Sequence, residues 1–357
     1  MKLAKMVPAL AVVGMLLAAC GGSSGPGVTL GKKVAFLLPD TQATRYESQD
    51  LPLFTAKLKS MCSDCAVDYR NAHQDAAAQL SQAEAALAGG ANVLVLDPVD
   101  GATASNIAAR AKARHVPVIA YDRLIFNSPA LDYFVSFDDS GVAALQADGL
   151  LTALKGKANP TVVMINGDSE DAIAKALKLG AQTILGGKVN IAKAYDTPSS
   201  SPDSARTEMA DALSSLHNSV DAVYAADDAT AGGASAALTA AGVKPFPPIT
   251  GDGAQLKAVQ RILAGQQYMT VYRSVKAEAE TAAQLAYDLA YGVTVPSSMT
   301  NGGTVSNGSA AVPASLISPV AVTRQTIVST VIADRFWTRA DLCTDQYASA
   351  CTAAGIS

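Results

Sequence analysis

The sequence predicts an α/β protein made of two lobes, each with a parallel sheet covered by helices. Short apolar runs without polar alternation recur along the chain, and such runs are typical of strands buried on both faces. Helical segments separate these runs, which indicates parallel strands joined by right-handed crossovers. The pattern starts again after residue 160, and this second set of units predicts the second lobe.

Charged side chains follow directly where several apolar runs stop. In the run 116–123, Val-Pro-Val-Ile-Ala-Tyr leads into Asp122 and Arg123. Four other runs end in the same way, at Asp97, Asp168, Asp227–Asp228 and Asp252. Open α/β sheets bind ligands at the carboxyl ends of their strands, so we predict a ligand site along this edge.

The first half of the chain alternates strand-like runs with segments of good helix formers. We predict strands over 33–38, 66–69, 91–96, 116–121 and 133–137. We predict helices over 48–61, 76–88, 102–114 and 142–154.

The second half repeats this alternation. We predict strands over 161–165, 190–195, 222–226 and 249–251, with helices over 171–185, 202–216, 231–241 and 254–264. The apolar segment 268–273 and a helix over 277–291 come next, followed by a Gly/Ser/Asn-rich loop over 301–309. A late strand over 316–322 and a late helix over 326–333 complete the pattern.

The amino terminus has the features of an export signal. Positive charge within 1–5 precedes an apolar run over 7–19, which is shorter than the roughly 20 residues that a transmembrane helix needs. Leu-Ala-Ala-Cys20 resembles a lipobox, so we predict a signal peptide over 1–19 and lipidation of Cys20. The alternative is an ordinary secretory signal with a coincidental cysteine. Residues 20–32 are rich in Gly and Ser and are predicted to form a flexible tether.

The composition excludes two classes of protein. The chain has 357 residues, 49% of them hydrophobic, and a formal net charge of -4, which argues against a nucleic-acid partner. After the signal, no segment of the sequence is long and apolar enough to span a bilayer. We therefore expect a folded domain outside the cytoplasm, held at the membrane by its lipid.

Four of the 5 cysteines fall in two local pairs. We predict that Cys62 pairs with Cys65 and that Cys343 pairs with Cys351, because local pairs in an oxidising compartment are most simply disulfides. A thioredoxin-like redox site and a zinc site are the alternatives. The redox site is disfavoured because Cys62 follows a predicted helix instead of opening one. A zinc site would need the two pairs to meet in space.

Several motifs together resemble one family. Tyr121-Asp-Arg123, Val135-Ser-Phe-Asp138, 227–234 (Asp-Asp-Ala-Thr-Ala-Gly-Gly-Ala) and Met269-Thr-Val-Tyr272 are similar to the xylose-binding branch of the ribose-type periplasmic sugar-binding proteins. The similarity runs in order from about residue 33 to 336. It implies two Rossmann-like lobes with parallel sheets, joined by a three-crossing hinge, the fold called periplasmic binding protein type I. It also implies a sugar or polyol ligand, a monomer, and delivery to the permease of an ABC transporter.

The resemblance also implies domain boundaries. The first lobe is expected to comprise 33–138 and 272–300, and the second lobe 139–271 and 301–340. The hinge crossings are expected near 137–138, near 270–271 and from 305 onward. A tail over 341–357 is expected to be pinned by its disulfide, and we predict no cofactor and no metal.

The resemblance implies a set of ligand-binding residues at the mouth of the two lobes. Carboxylates, amides and guanidinium groups suit vicinal hydroxyls because charged hydrogen bonds are the stronger ones, and an aromatic ring suits the C–H face of a sugar. For the pair Asp122–Arg123 the alternative is an internal ion pair, and for Arg45–Tyr46 it is a solvated loop. The predicted ligand-binding residues are Arg45, Tyr46, Asp122, Arg123, Asp171, Asp227, Asp252 and Arg273.

The pocket departs from the xylose-binding pattern at several positions. Apolar Ile173 stands where the family has an amide, and Ser200 stands where it has a stacking tryptophan. Asp227 replaces an amide, Arg273 replaces a lysine, and the acceptor near Asp252 is moved or removed. Each buried polar group left without its partner costs on the order of 1–3 kcal/mol. We therefore expect a ligand other than plain xylose.

Two other functions compete with binding and transport. The sequence has no Gly-x-Ser-x-Gly elbow between a predicted strand and a predicted helix and no His-Glu-x-x-His motif, and its 3 histidines lie at predicted element ends, so we expect no enzyme. A glycosidase carboxylate pair is the remote alternative. A ligand-loaded sensor that docks on a membrane receptor is the nearer alternative, because its lobes would close in the same way.

Overall fold

The structure is a computed structural model that describes Met1, residues 31–40 and residues 45–356. It divides into a unit over Met1–Leu30 and a unit over Gly31–Ser357. The strands and helices of the described residues all belong to the second unit. The predicted signal peptide, Cys20 and nearly all of the tether lie outside the described residues.

Strands and helices alternate through most of the chain, as predicted. The strands are β1 (Lys33–Leu38), β2 (Ala66–Asn71), β3 (Val93–Leu96), β4 (Val118–Tyr121), β5 (Tyr133–Phe137), β6 (Thr161–Asn166), β7 (Asn190–Asp196), β8 (Ala222–Ala225), β9 (Met269–Tyr272), β10 (Thr304–Ser306), β11 (Ala311–Ile317) and β12 (Val320–Thr323). The helices are α1 (Leu51–Met61), α2 (Ala76–Ala88), α3 (Gly101–Lys112), α4 (Asp139–Ala153), α5 (Ala172–Leu185), α6 (Pro202–Ser215), α7 (Asp228–Ala240), α8 (Leu256–Leu263), α9 (Val275–Tyr291), α10 (Arg339–Leu342) and α11 (Ala348–Ala353).

The first lobe is built on a seven-stranded sheet in the order β10-β11-β5-β4-β3-β1-β2. All neighbours in it are parallel except β10 and β11. Along β1, Ala35 and Leu37 face the core under α2 and α3, whereas Phe36 and Leu38 face the core under α1 and α9. Both faces are therefore apolar, which is why the strand sequences lack polar alternation.

The second lobe repeats this arrangement on a smaller, three-stranded parallel sheet in the order β7-β6-β8. One face packs against α4 and α5, and the other packs against α6 and α7. The predicted strand over 249–251 is reduced to a bridge between Val223 and Ile249. Antiparallel strands β9 and β12 form a separate pair beside α4.

The chain crosses between the lobes at Asp138, at Arg273–Ser274 and at Ser318–Pro319. The prediction that residues from 301 onward join the second lobe is wrong for 304–317. Strand β11 pairs in parallel with β5, and β10 pairs with β11, so both strands extend the first sheet. The single late strand predicted over 316–322 is in fact two strands that lie in different lobes, and the third crossing therefore comes later than 305.

The carboxyl-terminal tail packs on the second lobe. Cys343 is bonded to Cys351, and Leu342 and Cys351 are buried against Val259 of α8. The other predicted disulfide, between Cys62 and Cys65, is also formed. Among the residues that the structure describes, no helix is both long and apolar enough to cross a membrane.

Candidate ligand-binding cleft

Parallel strands bring the predicted strand-end residues to one edge of each sheet. In the first lobe, β3 and β4 are neighbours and end directly before Asp97 and Asp122. In the second lobe, β6 and β8 are neighbours that lead into 166–168 and into Asp227. The two sets of residues form the walls of the candidate cleft.

Arg45 is the centre of a buried ion cluster in the first wall. Its guanidinium donates to Asp50 at 2.9 and 3.0 Å and to Glu278 at 2.6 Å, and its Nη2 lies 3.9 Å from Asp122. Asp50 and Glu278 are fully buried. Burial opposes the positive charge, but Glu278 and Asp50 more than offset it and raise the pKa of Arg45 well above its usual value. Arg45 is thus held by carboxylates, and the solvated-loop alternative does not describe it.

Tyr46 does not offer a free aromatic face. Its side chain is 2% exposed and packs in the first-lobe core, and the guanidinium of Arg45 lies 5.5 Å from the centre of its ring. Burial and the carboxylate of Asp97 raise the pKa of Tyr46, so its hydroxyl stays protonated. The ring of Tyr46 therefore packs beside the guanidinium of Arg45.

Asp122 and Arg123 face different partners. Asp122 has a left-handed backbone, with φ of 60°, and its partly exposed carboxylate is nearest to Arg45. A left-handed non-glycine residue is uncommon and is concentrated at functional sites. Arg123 is half exposed, donates to the Pro98 carbonyl at 3.2 Å, and lies 3.8 Å from Asp97. The alternative of a simple Asp122–Arg123 ion pair is therefore not what the structure shows.

Asp97 ends a predicted strand but is absent from the predicted ligand-binding residues. It is fully buried, next to the Tyr46 hydroxyl and 3.8 Å from the Arg123 guanidinium. Burial and the nearby Asp122 raise its pKa well above the usual value. The signal that could have identified it is the one that identified Asp122, an apolar run that ends in a carboxylate.

Arg273 lies between two carboxylates where the chain crosses from β9 to α9. Its guanidinium is 2.8 Å from Asp252 and 3.2 Å from Asp139. Burial raises the pKa of Asp252 to about 6, although Arg273 acts against the shift. Burial also raises the pKa of Asp139, which Arg273 lowers and Asp122 raises again. The charge of Asp122 therefore acts on Asp139, the carboxylate next to Arg273.

Two predicted ligand carboxylates act as helix caps. Asp227 accepts from the Thr230 backbone N–H at 2.8 Å at the start of α7, and its charge contributes to the raised pKa of Asp252. Asp171 accepts from the backbone N–H groups of Ile173 and Ala174 and caps α5. The structure thus places Asp227 where its charge acts on Asp252, and it places Asp171 and the half-exposed Ile173 at the start of α5.

The second wall is polar where the sequence suggested a lost aromatic ring. The Ser200 hydroxyl accepts from the Asp168 backbone N–H at 3.2 Å, and the Asp168 carboxylate accepts from the Ser199 N–H at 2.6 Å. Asn166 is buried, and its Oδ1 has no partner among the described part of the chain. The single tryptophan, Trp337, lies behind the cleft, where its Nε1 donates to the Ala254 carbonyl.

A family model described as a periplasmic binding protein domain matches residues 34–293. The chain belongs to the periplasmic binding protein family. It is 35% identical over 86% of its length to the D-xylose-binding periplasmic protein of Haemophilus influenzae, of which 91% is covered. It is 33% identical over 87% of its length to the protein of the same description from Escherichia coli, of which 92% is covered.

A solved structure agrees with this assignment. An ABC transporter solute-binding protein from Clostridium phytofermentans, with bound β-D-glucose, matches with a TM-score of 0.68 and 26% identity. The match covers 87% of this chain and 100% of that chain. The predicted fold class and family resemblance are confirmed.

Other features of this periplasmic binding protein do not compete with the cleft. A cavity of about 370 Å³ lies at the amino ends of the second-lobe strands, between Phe246, Tyr268 and Arg324, away from the charged clusters. His73, His115 and His217 are exposed in left-handed turns. Within the described ranges, no group of His, Cys, Asp and Glu side chains is arranged to hold a metal ion.

Proposed function

We propose that this protein is an extracytoplasmic solute-binding subunit that clamps a monosaccharide or related polyol and delivers it to an ABC-type importer. The observation that carries the proposal is the collection of carboxylates and guanidinium groups at the ends of the strands, with Arg45 and Asp122 in the first wall and Asp252 and Arg273 at the hinge. The names of the relatives support the same class of ligand.

The unpaired atoms of the cleft suit hydroxyl groups. Oδ1 of Asp252 is a buried acceptor without a partner among the described residues, and Nε of Arg273 is a buried donor in the same condition. A polyhydroxylated ligand can donate to the carboxylate of Asp252 and accept from the guanidinium of Arg273, and hydrogen bonds to charged groups are the stronger ones. A ligand that reaches both walls binds the closed arrangement preferentially and shifts the population toward it.

The ligand we propose differs from plain xylose. Ser200 places a hydroxyl in the second wall. Ile173, at the start of α5, is half exposed and apolar and cannot hydrogen-bond a ligand through its side chain. Asp252 pairs with Arg273, and the charge of Asp227 acts on Asp252, so this part of the wall carries two carboxylates for one guanidinium group. A pentose isomer, an amino-bearing sugar or an acyclic polyol fits that balance.

Calorimetry on the purified protein tests both parts of the proposal. D-Xylose, D-glucose and xylitol are titrated separately, and small molecules carried through purification are identified by mass spectrometry after denaturation. Intact recovered sugar or polyol and one-to-one binding support a binding protein without turnover. Tight one-to-one binding of D-xylose contradicts the altered specificity. Failure of every compound, with no small molecule recovered, contradicts the sugar-binding function.

Lipidation of Cys20 is part of the same proposal, because a lipid anchor and the Gly/Ser tether would hold the domain near its permease. Intact-mass analysis of the mature protein tests it. The expected result is a chain that begins at Cys20 and carries acyl groups, and that becomes unmodified in Cys20→Ser. A mature chain without added lipid contradicts the anchor.

A further inference from the structure

The turn over 251–255 carries Asp252, the residue that pairs with Arg273. Its backbone is unusual, because Gly253 has φ of 113° and Ala254 has φ of 47°. A left-handed alanine is disfavoured by the contact of its Cβ with the backbone and persists only where the surroundings hold it. Something must therefore hold this turn in place.

The side chain beneath the turn is Asp228, the first residue of α7, which is 1% exposed. Its Oδ2 accepts from the Gln255 backbone N–H at 2.8 Å and from the Thr270 hydroxyl at 2.9 Å. Its Oδ1 accepts from the Gln267 amide at 2.9 Å. Its own backbone N–H donates to the Asp252 carbonyl at 3.0 Å. The Asp228 carboxylate thus binds Gln255 at the end of the turn, Gln267 just before β9 and Thr270 within β9.

The fit between this carboxylate and the backbone is close. A Cβ added to Gly251 would lie 2.2 Å from Oδ1 of Asp228, so only glycine leaves room for the carboxylate. Thr270 completes the arrangement, because its hydroxyl also accepts from the Ala254 N–H at 3.1 Å. Thr270 lies in β9, which continues directly to Arg273.

We propose that Asp228 is a positioning residue for the ligand site, which sets the place of Asp252 through the turn and the place of Arg273 through Thr270 and β9. This inference rests on the proposed function, since it assumes that Asp252 and Arg273 bind the ligand. Asp228 itself is buried with both oxygens engaged, so it acts through these two residues and does not touch the ligand.

The neighbouring charges fit this role. Arg261 of α8 donates to the Asp228 backbone carbonyl at 2.7 Å and to Gln267 at 2.9 Å, and Gln267 in turn donates to the Asp228 carboxylate. Trp337, which precedes α10, donates to the Ala254 carbonyl at 2.7 Å. The turn is therefore held by Asp228 at Gln255 and by Trp337 at Ala254.

Thr270 is the better residue for a first test, because valine has nearly the same shape as threonine and lacks only the hydroxyl. Thr270→Val removes the hydroxyl that joins Asp228 to the Ala254 N–H, whereas Thr270→Ser keeps it. In the unliganded protein we expect amide hydrogen exchange over 253–255 to accelerate by at least about tenfold in Thr270→Val and to stay near the wild-type rate in Thr270→Ser. Unchanged exchange over 253–255 in Thr270→Val overturns the proposal, whether or not a ligand is known.

Asp228→Asn tests the ligand side with D-xylose, D-glucose and xylitol as probes. An asparagine amide in place of Oδ2 meets the Gln255 N–H as a second donor, so we expect Kd to rise by at least about tenfold for any compound that binds. The matched control is Asp288→Asn, a buried carboxylate near the far end of α9, which should leave Kd unchanged. Binding is compared at a temperature where every variant is folded.

Two further variants separate failure of the inference from failure of the proposed function. Asp252→Ala and Arg273→Ala each remove a proposed ligand contact. If they weaken binding while Asp228→Asn and Thr270→Val leave both Kd and exchange unchanged, only the positioning role is wrong. If they leave Kd unchanged as well, the proposed site is wrong.

Discussion

Replacing Arg45 by methionine is expected to destabilise the first lobe by about 3–5 kcal/mol, the range found when one partner of a buried ion pair is removed. Arg45 binds Asp50 and Glu278, and both carboxylates are fully buried. Without the guanidinium, two like charges would remain together in a site closed to water. For a domain of this size the change corresponds to a fall in Tm of roughly 10 °C.

The same variant should show a pH dependence of definite sign. Burial raises the pKa values of Asp50 and Glu278, and Arg45 opposes the shift, so its removal should raise them further. A carboxyl whose pKa is raised on folding favours the folded state below the unfolded pKa of about 4, and this contribution is lost as pH rises through the folded pKa. The stability of Arg45→Met should therefore fall more steeply with rising pH than that of the wild type.

Urea unfolding followed by circular dichroism at about pH 5 and about pH 8 measures both effects. Arg70→Met is the control, because Arg70 pairs with Asp68 at 3.0 Å near the surface and such pairs contribute at most about 1 kcal/mol. A loss in Arg45→Met no larger than that of the control, or an unchanged pH slope, would refute the buried-cluster argument.

Three other predictions concern the cleft and the tail. Asp122→Ala should abolish detectable binding in calorimetry while Tm stays close to that of the wild type, since its carboxylate is partly exposed; a large fall in Tm would instead indicate a structural role. Affinity should weaken as pH falls below about 6, where Asp252 takes up a proton and loses acceptor capacity, and Asp252→Asn should remove that dependence. The Cys343→Ser/Cys351→Ser variant should lose about 2–3 kcal/mol in urea unfolding, from the loop-closure entropy of a separation of 8 residues; equal stability contradicts this.

The strands and helices of the two lobes were largely predictable, because a strand buried on both faces is apolar along its whole length. Each parallel strand reads as an apolar run, and each covering helix reads as a segment of good helix formers. The late strands were harder. Residues 311–317 and 320–323 are both apolar and are separated only by Ser318–Pro319, so no local pattern shows that they pair with different sheets.

That these residues bind a ligand stays a prediction, but their positions could be read in part from the sequence. Strand-end position and family resemblance pointed to Asp122, Arg123 and Arg273, and in the structure each lies within 4 Å of an oppositely charged group. The same reasoning expected ligand contacts from Tyr46 and Asp171, and these also stay predictions. In the structure the ring of Tyr46 is buried, and Asp171 caps α5.

The class of fold, the alternation of strands and helices and the edge at which charge collects could be predicted from the amino-acid pattern, because each depends on residues close together in the chain. Which carboxylates find hydrogen-bond partners depends on the packing of distant segments. Arg45 meets Glu278, and Asp228 meets Thr270, across long stretches of sequence. Hydrogen bonds between residues so far apart in sequence depend on how the helices and strands pack. The amino-acid pattern around each residue does not reveal them.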